Sequence, residues 1–109
     1  MSISQIQPRQ LLAWLDDKSQ PAPVLLDVRE PWEVQICSIE NSLAIPMNTI
    51  ADRCAALNPD AETVLICHHG ARSMQVALFL ERGGFNKLHN LSGGVDAWAR
   101  QIDPAMSTY

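Results

Sequence analysis

The feature that most constrains this chain is a short strand-forming run, Thr63-Val64-Leu65-Ile66, that leads directly into a brief loop and then a helix. The run is β-branched or apolar at every position, as in a parallel strand buried on both faces. From Ser73 apolar side chains recur at helical spacing up to Gly83-Gly84, which can end a helix. A strand followed so closely by a helix predicts the β-loop-α unit of parallel α/β domains.

Short strands and helices alternate along the rest of the chain. Helices are predicted over residues 8–18, 49–57 and 95–101, and further strands over residues 24–28, 43–45 and 87–90. Parallel neighbours need a crossover, which a helix usually supplies, so an α/β fold with a mainly parallel sheet between helices is expected. Trp14, Trp32 and Trp98 are interpreted as packing residues.

Length and composition indicate one domain over residues 1–109, with a core at about residues 3–102 and a loose tail at 103–109. A hydrophobic fraction of 47% argues against disorder, and a net charge of -4 argues against nucleic acid or anionic membrane as partners. Met1 to Gln10 lacks the features of a secretory signal. The longest apolar run, Val76 to Leu80, is far shorter than the roughly 20 residues of a membrane span.

The three cysteines are Cys37, Cys54 and Cys67, an odd set without a CxxC pair. Such a set suits a reducing compartment better than a disulfide framework, so a cytoplasmic location is expected. Cys37 and Cys54 are interpreted as structural residues, with resolution of an oxidised Cys67 as the alternative.

The loop after the central strand carries the candidate chemistry. Its residues are Cys67, His68, His69, Gly70, Ala71, Arg72 and Ser73. So short a connection must turn tightly, which Gly70 permits, and the free N–H groups ahead of the helix can converge on one anion. We expect that anion to be the thiolate of Cys67, because a helix N-terminus and a nearby cation stabilise it. At the carboxyl end of the strand, this nucleophile could carry a sulfur atom as a persulfide.

Three charged residues are expected to support this loop or its substrate. Arg72 is a permanent cation that can bind an anionic substrate or support the loop itself. Asp27 and Arg29 follow a predicted strand and are expected to pair, or to satisfy backbone groups near the site.

His68 and His69 add polarity beside Cys67 and permit two other interpretations. Together with Cys67 they resemble a metal-ligand set, but adjacent ligands in one tight turn converge poorly, so no metal is predicted. His68 as the base of a cysteine hydrolase is also disfavoured, because its side chain is expected to point away from its neighbour.

Three segments of the chain resemble the rhodanese family. Residues 67–73 after a hydrophobic strand resemble its active-site loop, the stretch LLDVRE with Trp32-Glu33 resembles its first signature, and LSGGVDAW at residues 91–98 resembles its closing segment. The resemblance implies a five-stranded, mainly parallel sheet sandwiched between helices. It also implies a sulfurtransferase in which Cys67 takes sulfane sulfur from thiosulfate or another persulfide donor and passes it to cyanide, a thiol or an accepting protein. No cofactor is implied, since the sulfur is held covalently.

Two other functions are weighed against this one. Phosphatases and arsenate reductases related to the cell-division dual-specificity phosphatases need five residues between cysteine and arginine, whereas only His68, His69, Gly70 and Ala71 stand between them here. A non-catalytic interaction or redox-sensing module is the other alternative, against which the intact cysteine and glycine argue.

Overall fold

Five short strands alternate with five helices in the computed structural model, which describes residues 3–109. The predicted domain starts at Met1, and residues 1 and 2 lie outside the described residues. The elements are β1 (Ile3–Ile6), α1 (Pro8–Asp16), β2 (Val24–Asp27), α2 (Pro31–Ile36), β3 (Leu43–Ala44), α3 (Ile50–Arg53), β4 (Thr63–Ile66), α4 (Ala71–Arg82), β5 (Leu88–Leu91) and α5 (Gly94–Gln101). Short 3-10 turns at Met47–Thr49 and Cys54–Ala56 flank α3. No helix among residues 3–109 has the length and apolar character to cross a membrane.

All five strands are parallel and form one sheet in the order β1-β5-β4-β2-β3. The predicted α/β fold with a mainly parallel five-stranded sheet is therefore confirmed, and the sheet is parallel throughout. β4 has a neighbour on each side, and all four of its residues are buried. This central strand delivers Cys67 to the carboxyl edge of the sheet.

The sheet separates two hydrophobic cores because successive strand residues point to opposite faces. Leu65 and Cys67 belong to the core under α3 and α4, whereas Val64 and Ile66 belong to the core under α1 and α5. The α4 side is completed by residues such as Val76, Ala77 and Leu80, and the α5 side by Leu11, Val95 and Trp98. Two buried faces explain why β4 lacks polar alternation.

Several elements differ from the sequence predictions. β1 was not predicted from the residue pattern, because Ile3–Ile6 is an edge strand with two polar residues whose single neighbour is β5. The predicted helix at 49–57 is only the short α3 between two 3-10 turns. The packing interpretation is wrong for Trp32, which is 60% exposed because α2 buries Glu33 instead.

The start of α5 packs directly against the backbone of the cysteine loop. The N–H groups of Val95 and Asp96 donate to the carbonyl oxygens of Cys67 and His68 at 2.9 and 3.1 Å. Gly94 has a φ of 58°, and a Cβ atom there would overlap both of those carbonyl groups. Glycine is needed at this position because two backbones meet without room for a side chain.

We predict that Gly94→Ala lowers the free energy of unfolding by more than about 2 kcal/mol, because the added methyl group meets backbone that cannot turn aside. Gly84→Ala is the matched control, since Gly84 also has a positive φ of 100° but no atom within 4 Å of the added Cβ. The control should lose about 1–2 kcal/mol from backbone strain alone. Urea unfolding measures both, and equal losses would contradict the close approach seen at Gly94.

Candidate active site

The Cys67 sulfur lies inside the loop between β4 and α4. It accepts a hydrogen bond from the Gly70 N–H at 3.0 Å and lies 3.2 Å from the Ser73 hydroxyl oxygen. The residue is 1% exposed. The sequence predicted that several amides would converge on this sulfur. Among residues 3–109, its hydrogen-bond partners are one amide and one hydroxyl. The site therefore places a backbone donor and a hydroxyl group, which can donate or accept, next to the sulfur.

Gly70 makes the inward turn of the loop possible. Its φ is 110°, in the left-handed region, and it is the N-cap of α4. This conformation, which L side chains resist, directs its N–H to the Cys67 sulfur. The amide and the start of α4 thus favour negative charge on the sulfur.

Arg72 points to Glu33 on α2 rather than remaining free. Its Nη1 and Nη2 atoms donate to the two carboxylate oxygens of Glu33 at 2.8 and 2.7 Å. The Arg72 hydrogen bonds lower the pKa of Glu33 from 4.5 to about 2 despite the opposing effect of burial. Of the two roles expected for Arg72, this bidentate contact fits support of the loop, because both terminal nitrogens are engaged by a protein carboxylate.

Asp27 and Arg29 form a buried pair beside the same region. Arg29 donates from Nε and Nη2 to Asp27 at 2.9 and 2.7 Å, and neither side chain is exposed by more than 1%. Arg29 Nη2 also donates to the Cys37 carbonyl oxygen at 2.7 Å. The two side chains pair, as the sequence predicted, and Arg29 also satisfies a nearby backbone carbonyl. Because that carbonyl belongs to the C-cap residue of α2, the pair holds the end of this helix in place.

His68 and His69 stack on one another at the rim of the loop, with ring centroids 3.9 Å apart. Burial lowers the pKa of His68, and electrostatic repulsion from His69 lowers it further. The fold brings Asp96 to the pair, so that ligand atoms of all three residues lie within 4.8 Å of one another. Asp96 Oδ2 is 3.9 Å from His69 Nε2 and pairs more closely with Arg100 Nη2, at 2.8 Å.

Tyr109 is a residue of this region that the sequence analysis missed. Its hydroxyl donates to Glu33 Oε1 at 2.8 Å and accepts from Arg29 Nη1 at 3.0 Å. Its ring stacks on His68 with the centroids 3.9 Å apart and the planes at 13°. The expectation of a loose tail at 103–109 is therefore wrong for its last residue, whose side chain contacts residues far away in sequence.

The other two cysteines make their contacts elsewhere in the fold. Cys37 packs against the α5-side core, and its sulfur lies 3.7 Å from Arg29 Nη1. Cys54 packs against the α4-side core and contacts the Ala51 carbonyl oxygen. Both are half-buried free thiols, and the structural role expected for them remains a prediction.

A family model described as "Rhodanese-like domain" matches residues 7–101. This chain belongs to the rhodanese-like family. The match includes all three segments that resemble the family, among them the cysteine loop of this rhodanese-like domain.

Individual relatives agree with this family assignment. A sulfurtransferase of Allochromatium vinosum is 38% identical over 77% of this chain and 78% of its own length. The thiosulfate sulfurtransferase GlpE of Pseudomonas aeruginosa is 30% identical over 95% of this chain and 90% of its own. The crystal structure of a rhodanese-related protein from Thermoplasma volcanium is 31% identical, with a TM-score of 0.81 over 91% of this chain and 93% of that one. The chain spans 27% to 30% of the length of longer curated relatives.

The Glu33–Arg72 pair predicts how stability depends on pH. Because the folded pKa of Glu33 is depressed to about 2 from 4.5, its contribution is present above pH 4.5 and is lost as the pH falls toward 2. We expect Glu33→Gln to flatten this part of the profile, measured as the free energy of unfolding in urea at each pH. Glu40→Gln at an exposed position is the control and should keep the wild-type slope. An unchanged slope in Glu33→Gln would show that this carboxylate does not stabilise the fold.

Proposed function

We propose that this rhodanese-like domain is a sulfurtransferase that carries sulfane sulfur as a persulfide on Cys67. The observation that carries the proposal is the Gly70 N–H directed at the Cys67 sulfur within a tight loop at the carboxyl end of β4. An amide fixed in this position stabilises negative charge on sulfur without having to reorganise. Two relatives named as sulfurtransferases, which align with most of this chain, support the same chemistry.

The proposed reaction has two half-steps. The Cys67 thiolate attacks the outer sulfur of thiosulfate, an S–S bond forms, and sulfite leaves with the electron pair of the broken bond. A thiophilic acceptor such as cyanide, a thiol or a protein cysteine then attacks the outer sulfur, and Cys67 leaves as a thiolate. Neither half-step needs an external oxidant or reductant, because the sulfur is transferred at its own oxidation level.

The charged groups around the loop bear on the donor. Arg72 is the fixed cation within the loop, and Glu33 engages it at 2.7 and 2.8 Å. A dianion such as thiosulfate therefore meets little free positive charge there, which favours a persulfide donor over thiosulfate as the better substrate. The three free thiols are consistent with work in a reducing compartment such as the cytoplasm.

The same contact argues against a phosphatase. Phosphoryl transfer in a cysteine loop needs the arginine to bind the phosphate oxygens, and here its terminal nitrogens are occupied by Glu33. Release of phosphate from an aryl phosphate by the wild-type protein would reverse this ranking. A non-catalytic module would instead give a free Cys67 thiol that never gains sulfur.

We predict that wild-type protein incubated with thiosulfate or a low-molecular-weight persulfide gains the mass of one sulfur at Cys67, and that added cyanide removes it as thiocyanate. Cys67→Ser should remove both signals, because the hydroxyl cannot hold a persulfide. Cys54→Ser is the matched control and should keep both. Peptide mass spectrometry and thiocyanate assay provide the readouts, and a folded wild type with a reduced Cys67 that gains no sulfur from either donor would refute the proposal.

A further inference from the structure

Asn90 is the third residue of β5 and is buried, with 4% of the residue exposed. Its side chain contacts the Ser73 hydroxyl at 2.5 Å, the Gly70 carbonyl oxygen at 3.1 Å and Gln5 Oε1 at 3.2 Å. One hydroxyl group therefore separates Asn90 from the reacting sulfur. Neither the sulfur chemistry nor the loop motif described above assigns a role to this asparagine.

The contacts determine which way the Asn90 amide faces. A backbone carbonyl oxygen only accepts hydrogen bonds, so the atom 3.1 Å from the Gly70 oxygen must be the Nδ2 donor. The Oδ1 atom therefore faces Ser73 and accepts its hydrogen. The orientation follows from the chemistry of the partners and not from the appearance of the amide itself.

The Ser73 hydroxyl has a single hydrogen and two neighbours that compete for it. With that hydrogen on Asn90 Oδ1, only oxygen lone pairs face the Cys67 sulfur at 3.2 Å. This arrangement is complete when Cys67 is a thiol, because its S–H can donate to the Ser73 oxygen. The hydrogen bonds among Asn90, Ser73 and Cys67 in this structure thus fit a sulfur that carries a proton.

An anionic sulfur changes the requirement. Once the thiol proton has left to solvent, Cys67 has nothing to donate, and the Ser73 hydroxyl must turn its hydrogen toward the negative charge. That rotation leaves Asn90 Oδ1 without this donor in a nearly buried place, which is unfavourable. The Gly70 N–H, by contrast, serves the sulfur in both states.

We propose that Asn90 is a positioning residue that holds the Ser73 hydrogen away from Cys67 and thereby restrains ionisation of the sulfur. The inference deepens the proposed function and rests on it, since it concerns how readily the resting thiol becomes the nucleophile. Asn90 acts through Ser73, and its effect must disappear when that hydroxyl is removed.

The test is the pH titration of the Cys67 thiolate, followed by ultraviolet absorbance as each variant minus the same variant carrying Cys67→Ser. Asn90→Leu removes the competing acceptor, so the midpoint should fall by about one pH unit, with roughly ten times more thiolate at pH values below it. In a Ser73→Ala background, Asn90→Leu should leave the midpoint unchanged, because no hydroxyl is left to release. A purely structural effect of Asn90→Leu would appear in both backgrounds and would overturn the inference.

Asn90→Asp gives an independent result of opposite sign. A carboxylate keeps the Ser73 hydrogen and adds negative charge, so the midpoint should rise; this variant also decides the matter if Asn90→Leu fails to fold. Asn86→Leu, at an exposed position before β5, is the control and should titrate as wild type. A midpoint that stays the same or falls in Asn90→Asp would contradict the proposed competition for the hydrogen.

Failure of this inference and failure of the proposed function give different results. If wild-type Cys67 never gains sulfur while Asn90→Leu still lowers the titration midpoint, the sulfurtransferase proposal fails and the role of Asn90 stands. If sulfur transfer proceeds normally and the midpoint does not move, only the role of Asn90 is lost.

Discussion

The hydrogen bonds from the first turn of α5 to the carbonyl groups of Cys67 and His68, at 2.9 and 3.1 Å, are the contacts on which the shape of the site depends. A loop this short cannot point all its carbonyl and N–H groups in one direction. Those carbonyls accept hydrogen bonds from α5, whereas the Gly70 N–H donates to the Cys67 sulfur at 3.0 Å. Gly94 is part of the same arrangement, because only a residue without a side chain lets α5 come so close.

Charged groups form a second layer that joins distant segments around the loop. Asp27 pairs with Arg29 after β2, Glu33 on α2 pairs with Arg72 on α4, and the Tyr109 hydroxyl bonds both Arg29 and Glu33. Within residues 3–109, every buried side-chain nitrogen and oxygen has a hydrogen-bond partner. Both guanidinium groups are engaged by carboxylates of the protein, and the hydrogen-bond contacts of the sulfur come from neutral groups, an amide and a hydroxyl. Buried charges stabilise the scaffold, and neutral dipoles contact the candidate nucleophile.

Local patterns were enough to predict the parts of the fold that local patterns control. β4 and α4 have continuous apolar or helically spaced side chains, and both lie where the sequence indicated. β1 was not predicted because its two central residues are polar and it gains its stability from pairing with β5, which is more than 80 residues away in sequence. The contacts of Tyr109 were missed and Trp32 was misjudged for a related reason. Whether an aromatic side chain packs or remains exposed depends on which surface its segment meets.

The sequence by itself determined that a cysteine follows a buried parallel strand and precedes a helix across a glycine-containing turn, because strand burial, helical spacing and glycine conformation are properties of neighbouring residues. Only the tertiary structure decided what surrounds that cysteine. The Arg72 guanidinium pairs with Glu33, Asn90 accepts a hydrogen bond from Ser73, and the start of α5 donates hydrogen bonds to the loop backbone. These contacts join residues that are far apart in the chain, and the direction of a hydrogen bond between them is set only when the sheet and helices bring both partners together.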